Sequence, residues 1–327
     1  MKGFFVRRWF LVALLLVLGV GFCCSARLAP ALKGLPSDWR SWWVAGVMFF
    51  MALPLDASAM WRAMRRPGAT LLAVAMNFLA VPAVAWAISP LLLALSRDLG
   101  FGLLIAAAVP STVASAAVWT RRAGGNDAVA LMVTMVTNLG CFLVTPMILL
   151  LTAGTRIESG SLDPIPMMQR LSLVVVVPVL AAQLLRMSKP LGRWAERQKT
   201  ALGVVCQLGM LTMVFAGVVR SGDVLDGVGG PRPGPHVWLA MIGCVLLVHL
   251  TTLWAGYLLA GVLGMAREDR IAVGFSGSQK TLLVGLSIAL DYAAVFGQLA
   301  LLPMVAYHVS QLLTDTIIAD RLRRRGA

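Results

Sequence analysis

The 327-residue chain is 59% apolar and only 13% charged, with a mean hydropathy of +0.84 and a net charge of +14. A soluble domain averages about 25% charged residues and cannot hide this much apolar surface, so an ordinary water-soluble enzyme is excluded. A membrane-crossing helix takes about 20 residues, and the length fits a single polytopic domain over residues 1–327 with short loops.

Ten apolar segments follow one another, at about 9–25, 42–59, 69–88, 99–119, 128–150, 170–187, 203–219, 237–263, 271–290 and 295–318. The first, preceded by Lys2, Arg7 and Arg8, has the layout of a signal peptide but is read as a retained span. The second is interrupted by Leu53-Pro54-Leu55-Asp56 and the seventh is short. Lys and Arg concentrate in the two tails and the even-numbered loops, with 19 there and eight in the odd-numbered loops. That bias places both termini in the cytoplasm, as expected for a bacterial inner-membrane protein, and accounts for the positive charge without nucleic acid. The lipid bilayer is the one macroscopic partner implied; no protein partner is indicated.

The loop at about 151–169 leaves five spans on each side, 9–150 and 170–318. An odd number makes the second half enter the membrane in the opposite sense, the arithmetic of an inverted repeat. The fourth span of each half is damaged. Span four carries Pro110, Ser111, Thr112 and Ser115, and the proline removes a helix donor. Span nine reads Gly274-Phe275-Ser276-Gly277-Ser278-Gln279-Lys280-Thr281. Paired interrupted spans in corresponding halves point to a transport site near the midplane. Lys280 lies ten residues from Arg270 and eleven from Asp291, about 15 Å from either end of its span, beyond reach of the headgroups. A lysine at that depth faces a cavity or a polar partner.

His308 and Asp315, seven apart in span ten, share a face; they are either a proton relay or gate, or a satisfied histidine with an aspartate close to the cytoplasmic end. Asp127 reads as the cap of span five. The chain contains no GxSxG, HExxH, Walker A or DDxxD pattern and no cysteine–histidine cluster, so neither an enzyme nor a cofactor or zinc site is expected. A channel or a non-transporting sensor are the remaining alternatives to a transporter.

The chain resembles the bile acid:sodium symporter superfamily, and its SBF-like branch most closely. The residues that carry this are Gly124-Gly125-Asn126, Thr137-Asn138-Leu139-Gly140, Phe275 to Lys280, Gly285-Leu286, Pro303, Tyr307-His308, Gln311, and Met76-Asn77-Phe78 with Pro82. The resemblance implies an all-α membrane protein of ten transmembrane helices. Two inverted five-helix repeats would form core and panel domains, with broken helices 4 and 9 crossing at the centre. It also implies alternating access, a small organic anion as solute and Na+ as coupling ion. Asn77, Ser115, Thr134 and Gln279 fall where sodium-coupled members place side-chain oxygens, and Ser276 where they use a carbonyl. Pro110, Ser111, Thr112, Ser278, Thr281 and His308 belong to the crossing and solute region. Three positions depart: Phe275 stands for a glutamate, Ala116 for an asparagine and Ala130 for a serine. The lost glutamate removes the formal negative charge offered to a cation. Lys280 suggests an alternative, an ammonium that replaces one sodium or carries a proton. Val109 departs from the cysteine expected of arsenite transporters.

Overall fold

The protein is described from a computed structural model covering residues 9–36, 38–55, 67–113, 115–157, 162–227 and 233–324. The basic N-terminal stretch 1–8, the Arg-rich stretch 56–66 and most of the Gly/Pro-rich loop 227–235 lie outside these residues. Among the described residues every regular element is a helix. In chain order they are α1 (Trp9–Cys23), α2 (Ser25–Lys33), α3 (Trp39–Ala52), α4 (Pro67–Leu95), α5 (Arg97–Ala108), α6 (Ser115–Arg122) and α7 (Asp127–Thr152). After the 151–169 connection come α8 (Pro164–Arg186), α9 (Lys189–Arg197), α10 (Lys199–Gly227), α11 (Pro235–Val262), α12 (Arg267–Ser278), α13 (Leu282–Asp291), α14 (Ala293–Phe296) and α15 (Leu301–Arg324).

Among the described residues six helices, α12 and α13 counted together, are long and apolar enough to cross a membrane, or seven if α1 and α2, bent by 93°, count as one span. The other expected spans are helical but fall short of that measure. α3 has 14 residues, span four is split into α5 and α6, and α15 carries polar groups along its length. Expected span nine is α12 and α13 together; every residue of its apolar window is buried. It is therefore walled in by protein on all sides.

Two packing groups can be traced: α1, α2 and α3 gather around α10, while α4 to α7 and α11 to α15 pack among themselves, and α8 bridges them, lying against both α3 and α7. Close approach in the second group depends on glycine. A Cβ on Gly277 would lie 2.9 Å from Met76 Cβ and 3.3 Å from the Ala73 carbonyl, so α12 lies directly on α4.

Two helices widen locally. Val81 donates to the Met76 carbonyl and Val177 to the Ser172 carbonyl, one residue further back than in an α-helix. Each π-helical turn is followed by a proline, Pro82 or Pro178, which lacks the donor needed for regular pairing. The N-cap of α7 is Asn126, whose side chain accepts from the Val129 amide. Asp127, expected as that cap, instead accepts from Arg121 Nε at 2.7 Å. Its neighbour wins because the cap must stand outside the helix with extended backbone, and Asn126 does so.

Candidate functional site

Pro110 breaks its span as the sequence suggests. α5 ends at Ala108, residues 109–113 are non-helical, and α6 begins at Ser115. The partner break is Gln279-Lys280-Thr281, between α12 and α13. The two breaks touch: Thr281 N donates to the Pro110 carbonyl at 2.9 Å.

A broken helix in a dry interior leaves carbonyls without donors, and each must be satisfied by protein. On the first strand of the crossing five consecutive carbonyls are met one by one. Ala108 O accepts from Thr145 Oγ1 (2.9 Å), Val109 O from Lys280 Nζ (2.9 Å) and Pro110 O from Thr281 N. Ser111 O accepts from Asn138 Nδ2 (2.9 Å) and Thr112 O from Thr134 Oγ1 (3.0 Å). The second strand is served in the same way. Ser276 O accepts from Ser111 Oγ (2.8 Å), Gly277 O and Gln279 O from Asn77 Nδ2 (3.4 and 3.0 Å), Ser278 O from Tyr307 Oη (2.9 Å), and Lys280 O from Gln311 Nε2 (3.0 Å).

Lys280 is wholly buried. Its ammonium donates to Asn77 O (2.7 Å), Asn77 Oδ1 (3.2 Å) and Val109 O (2.9 Å). Both backbone acceptors trace to prolines. In a regular helix Asn77 O would take the Val81 amide, but the π-turn sends that amide to Met76. Val109 O is left over because the helix stops at Pro110. Carbonyl-rich C-terminal helix ends favour positive charge, and α5 and α12 both end here.

Beside the ammonium is a second network. Gln279 Oε1 accepts from Thr112 Oγ1 (2.8 Å) and Ser115 Oγ (3.0 Å), while Gln279 Nε2 donates to Asp315 Oδ2 (2.5 Å). Asp315 Oδ1 lies 2.8 Å from His249 Nε2, and both side chains are fully buried. Gln311 pairs with the Lys280 backbone at N and O, and its Nε2 also meets His308 Nδ1 at 3.0 Å. Thr112, Ser115, Thr281 and His308 line a cavity of about 300 Å³ together with Met51, Cys206 and Met210, and exposed Arg121 and Lys199 line it too.

All of the residues expected at the crossing are therefore drawn together here. The four expected sodium oxygens, however, divide. Ser115 and Gln279 meet, Asn77 Oδ1 is turned toward Lys280, and Thr134 Oγ1 is engaged by Thr112 O. Phe275, Ala116 and Ala130 are buried without polar atoms, as their side chains dictate. A carboxylate from another helix does stand beside the crossing: Asp315 is wholly buried and accepts from Gln279 Nε2. No motif or spacing in the sequence assigns a role to its partner His249. The depth argument used for Lys280 would have found it, since His249 stands fourteen residues from Pro235 and thirteen from Val262.

Among the described residues this is an all-helical, multi-pass membrane protein in which two broken helices meet around the buried Lys280 side chain, and the family match places it in the transporter class. The chain belongs to the SBF-like CPA transporter family, whose profile matches residues 8–324. It is 31% identical over 312 residues to the uncharacterized protein PA2026 of Pseudomonas aeruginosa, covering 92% of this chain and 88% of that protein. It is 28% identical to a probable sodium/metabolite cotransporter, BASS4, of Arabidopsis thaliana, over 70% of this chain but only 54% of that protein. Sodium/bile acid cotransporter 7 of Xenopus tropicalis is 22% identical over 97% of this chain and 92% of its own length.

Proposed function

We propose that the protein is a secondary-active transporter that moves a small organic anion by alternating access, with the Lys280 ammonium standing where a coupling cation would otherwise sit. The observation that carries this reading is the cage of three carbonyl oxygens within 3.2 Å of Nζ. In this reading ten spans form two inverted repeats, 9–150 and 170–318. The α10-centred group is the panel, the other group is the core, and both termini face the cytoplasm of the inner membrane. The solute occupies the 300 Å³ cavity between them. Thr112, Ser115, Thr281 and His308 offer it polar contacts, and Arg121 and Lys199 attract its charge. Rocking of the panel against the core would carry the cavity to the other face while the crossing stays intact.

A second version keeps sodium, the ion named in two of the relatives. It is favoured by the convergence of Thr112 Oγ1, Ser115 Oγ and Gln279 Oε1, with the Asp315 carboxylate beyond. Those residues would hold the ion; Asn77 and Thr134, engaged elsewhere, would not complete its shell.

The test is uptake of labelled carboxylates, a bile acid among them, into proteoliposomes under a sodium gradient, a proton gradient or neither. The reading expects uptake without sodium that falls at least tenfold in Lys280→Ala. Undiminished, cation-coupled uptake in both Lys280→Ala and Lys280→Gln would overturn the role given to the ammonium. Binding without flux would indicate a sensor.

A further inference from the structure

The odd-numbered loops and their flanks carry few cations, yet three of them converge. Arg40 on α3 and Arg170 in the first turns of α8 flank the carboxylate that ends α13, Asp291, and Arg220 on α10 stands near Arg40. Arg170 Nε lies 2.6 Å from Asp291 Oδ2, and Arg40 Nη2 lies 3.5 Å from Oδ1. The carboxylate is only 5% exposed and also accepts from Ser287 Oγ at 3.1 Å. Arg170 is held further by Ser41 Oγ at 3.0 Å.

Against this cluster lies a second cavity of about 310 Å³. Arg40, Arg220 and Asp223 supply its charged lining; Trp39, Leu35 and Leu290 supply apolar surface. It lies away from the crossing: Leu290 is eight residues along α13 from Leu282, which lines the first cavity, or about 12 Å of helix. Two guanidinium groups, Arg40 and Arg220, line the cavity beside one carboxylate, Asp223. Arg40 Nε is buried with no acceptor among the described residues, and Asp291 Oδ1, 3.5 Å from Arg40 Nη2, is likewise without a hydrogen-bond donor. A guanidinium presents a planar fork suited to a carboxylate or phosphate, and a buried donor without an acceptor is unfavourable.

We propose that this second cavity is a binding site for one oxyanion attached to an apolar body. Arg40 and Arg220 hold the oxyanion, and Trp39, Leu35 and Leu290 cover the apolar part. The occupant is either a free amphipathic anion or the headgroup and first chain carbons of an anionic lipid, which share this chemistry. The site does not depend on the transport reading, since it is defined by equilibrium binding.

The experiment measures binding of labelled octanoate to the full chain in a neutral detergent, with inorganic phosphate as the competitor that lacks an apolar part. Saturable binding is expected, with phosphate at least tenfold weaker. Arg40→Gln and Arg220→Gln should each weaken octanoate at least fivefold. Arg156→Gln, which removes a cation remote from the cavity, should change nothing. Asp291→Asn raises the local charge by one and should tighten binding about threefold or more, the opposite of what damage to folding would do. In nanodiscs, displacement of octanoate by phosphatidylglycerol but not phosphatidylcholine, with the same dependence on Arg40 and Arg220, identifies the lipid as the occupant. Failure of phosphatidylglycerol to displace it identifies the free anion. Binding that is absent, indifferent to both arginines, or weakened in Asp291→Asn would overturn the proposal. Loss of uptake in Lys280 variants with octanoate binding intact would leave it standing.

Discussion

Two carbonyls released by prolines at distant points of the chain, Asn77 O and Val109 O, meet at one lysine. Removing that lysine therefore does more than delete a charge. Lys280→Ala leaves both carbonyls buried and without a donor, at about 1–3 kcal/mol each. The expected result is a clear fall in thermal unfolding temperature in detergent, smaller for Lys280→Gln, whose amide can still serve one acceptor. Hydroxyl donors allow a finer comparison. Thr145 Oγ1 is the donor for Ala108 O at the break, whereas Thr314 Oγ1 bonds Ser310 O, a turn earlier on its own helix. Thr145→Val should lose about 1–2 kcal/mol and Thr314→Val much less, since helical Ser310 O keeps a backbone partner; thermal unfolding of the two variants side by side checks it. Lys280 was legible because its depth follows from counting to the nearest charge on each side. What the same arithmetic does not give for Asp315 is its partners: five residues from exposed Asp320, its carboxylate is wholly buried between His249 and Gln279.

At the scale of elements, the two π-turns make a controlled pair. Both precede a proline, but only the turn in α4 exposes a carbonyl used at the crossing. Pro82→Ala restores a donor, allows the regular helix to re-form and returns the Val81 amide to Asn77 O, taking an acceptor from Lys280. Uptake should fall at least fivefold although alanine is the better helix former. Pro178→Ala in α8 should leave uptake within about twofold. The Pro110 break could be read directly from the sequence. The π-turns could not, because a proline with helix on both sides fits a kink, a bulge or a π-turn equally, and neighbouring helices choose among them. A weaker tie joins the end of α6 to α15, where Arg122 donates to both oxygens of Asp320 at 2.7 and 2.8 Å. This hydrogen bonding holds the Asp320 carboxyl below its ordinary range. A depressed carboxylate stabilises the folded state above its unfolded pKa, and that contribution is lost as pH falls through the lower folded value. The pair is exposed, so Asp320→Asn should shift stability by less than about 1 kcal/mol at neutral pH, and the difference from the parent chain should vanish in strong acid; unfolding followed across pH tests both.

For the molecule as a whole, hydropathy and architecture part company for a physical reason. Apolarity measures contact with lipid, and the span that does most at the centre has none. The apolar window of α12–α13 is buried throughout, against 33% for α4. A helix shielded by others is free to carry Ser276, Gly277, Ser278, Gln279 and Lys280, and α15, also facing inward, carries Tyr307, His308, Gln311 and Asp315. Polarity alone accounts for α15; α3 falls short by length and span four by its break, while α12–α13 still qualifies, with the lowest mean hydropathy of the six candidate spans among the described residues. The charge bias then acquires a further use. Arg121 and Lys199, at the exposed edge of the first cavity, lie in the fourth and sixth loops, the set richest in cations and hence expected in the cytoplasm. On the proposed topology the cavity opens inward, with the Asp291 cluster at the opposite face. Gln207, on the cavity lining, gives the test. In a chain with its five cysteines replaced, Gln207→Cys should react with a membrane-impermeant maleimide at least tenfold faster in inside-out vesicles than in intact cells. Equal rates would mean that the cavity is not confined to one face. The reverse preference would invert the topology, because the loops that flank the cavity would then have to lie outside.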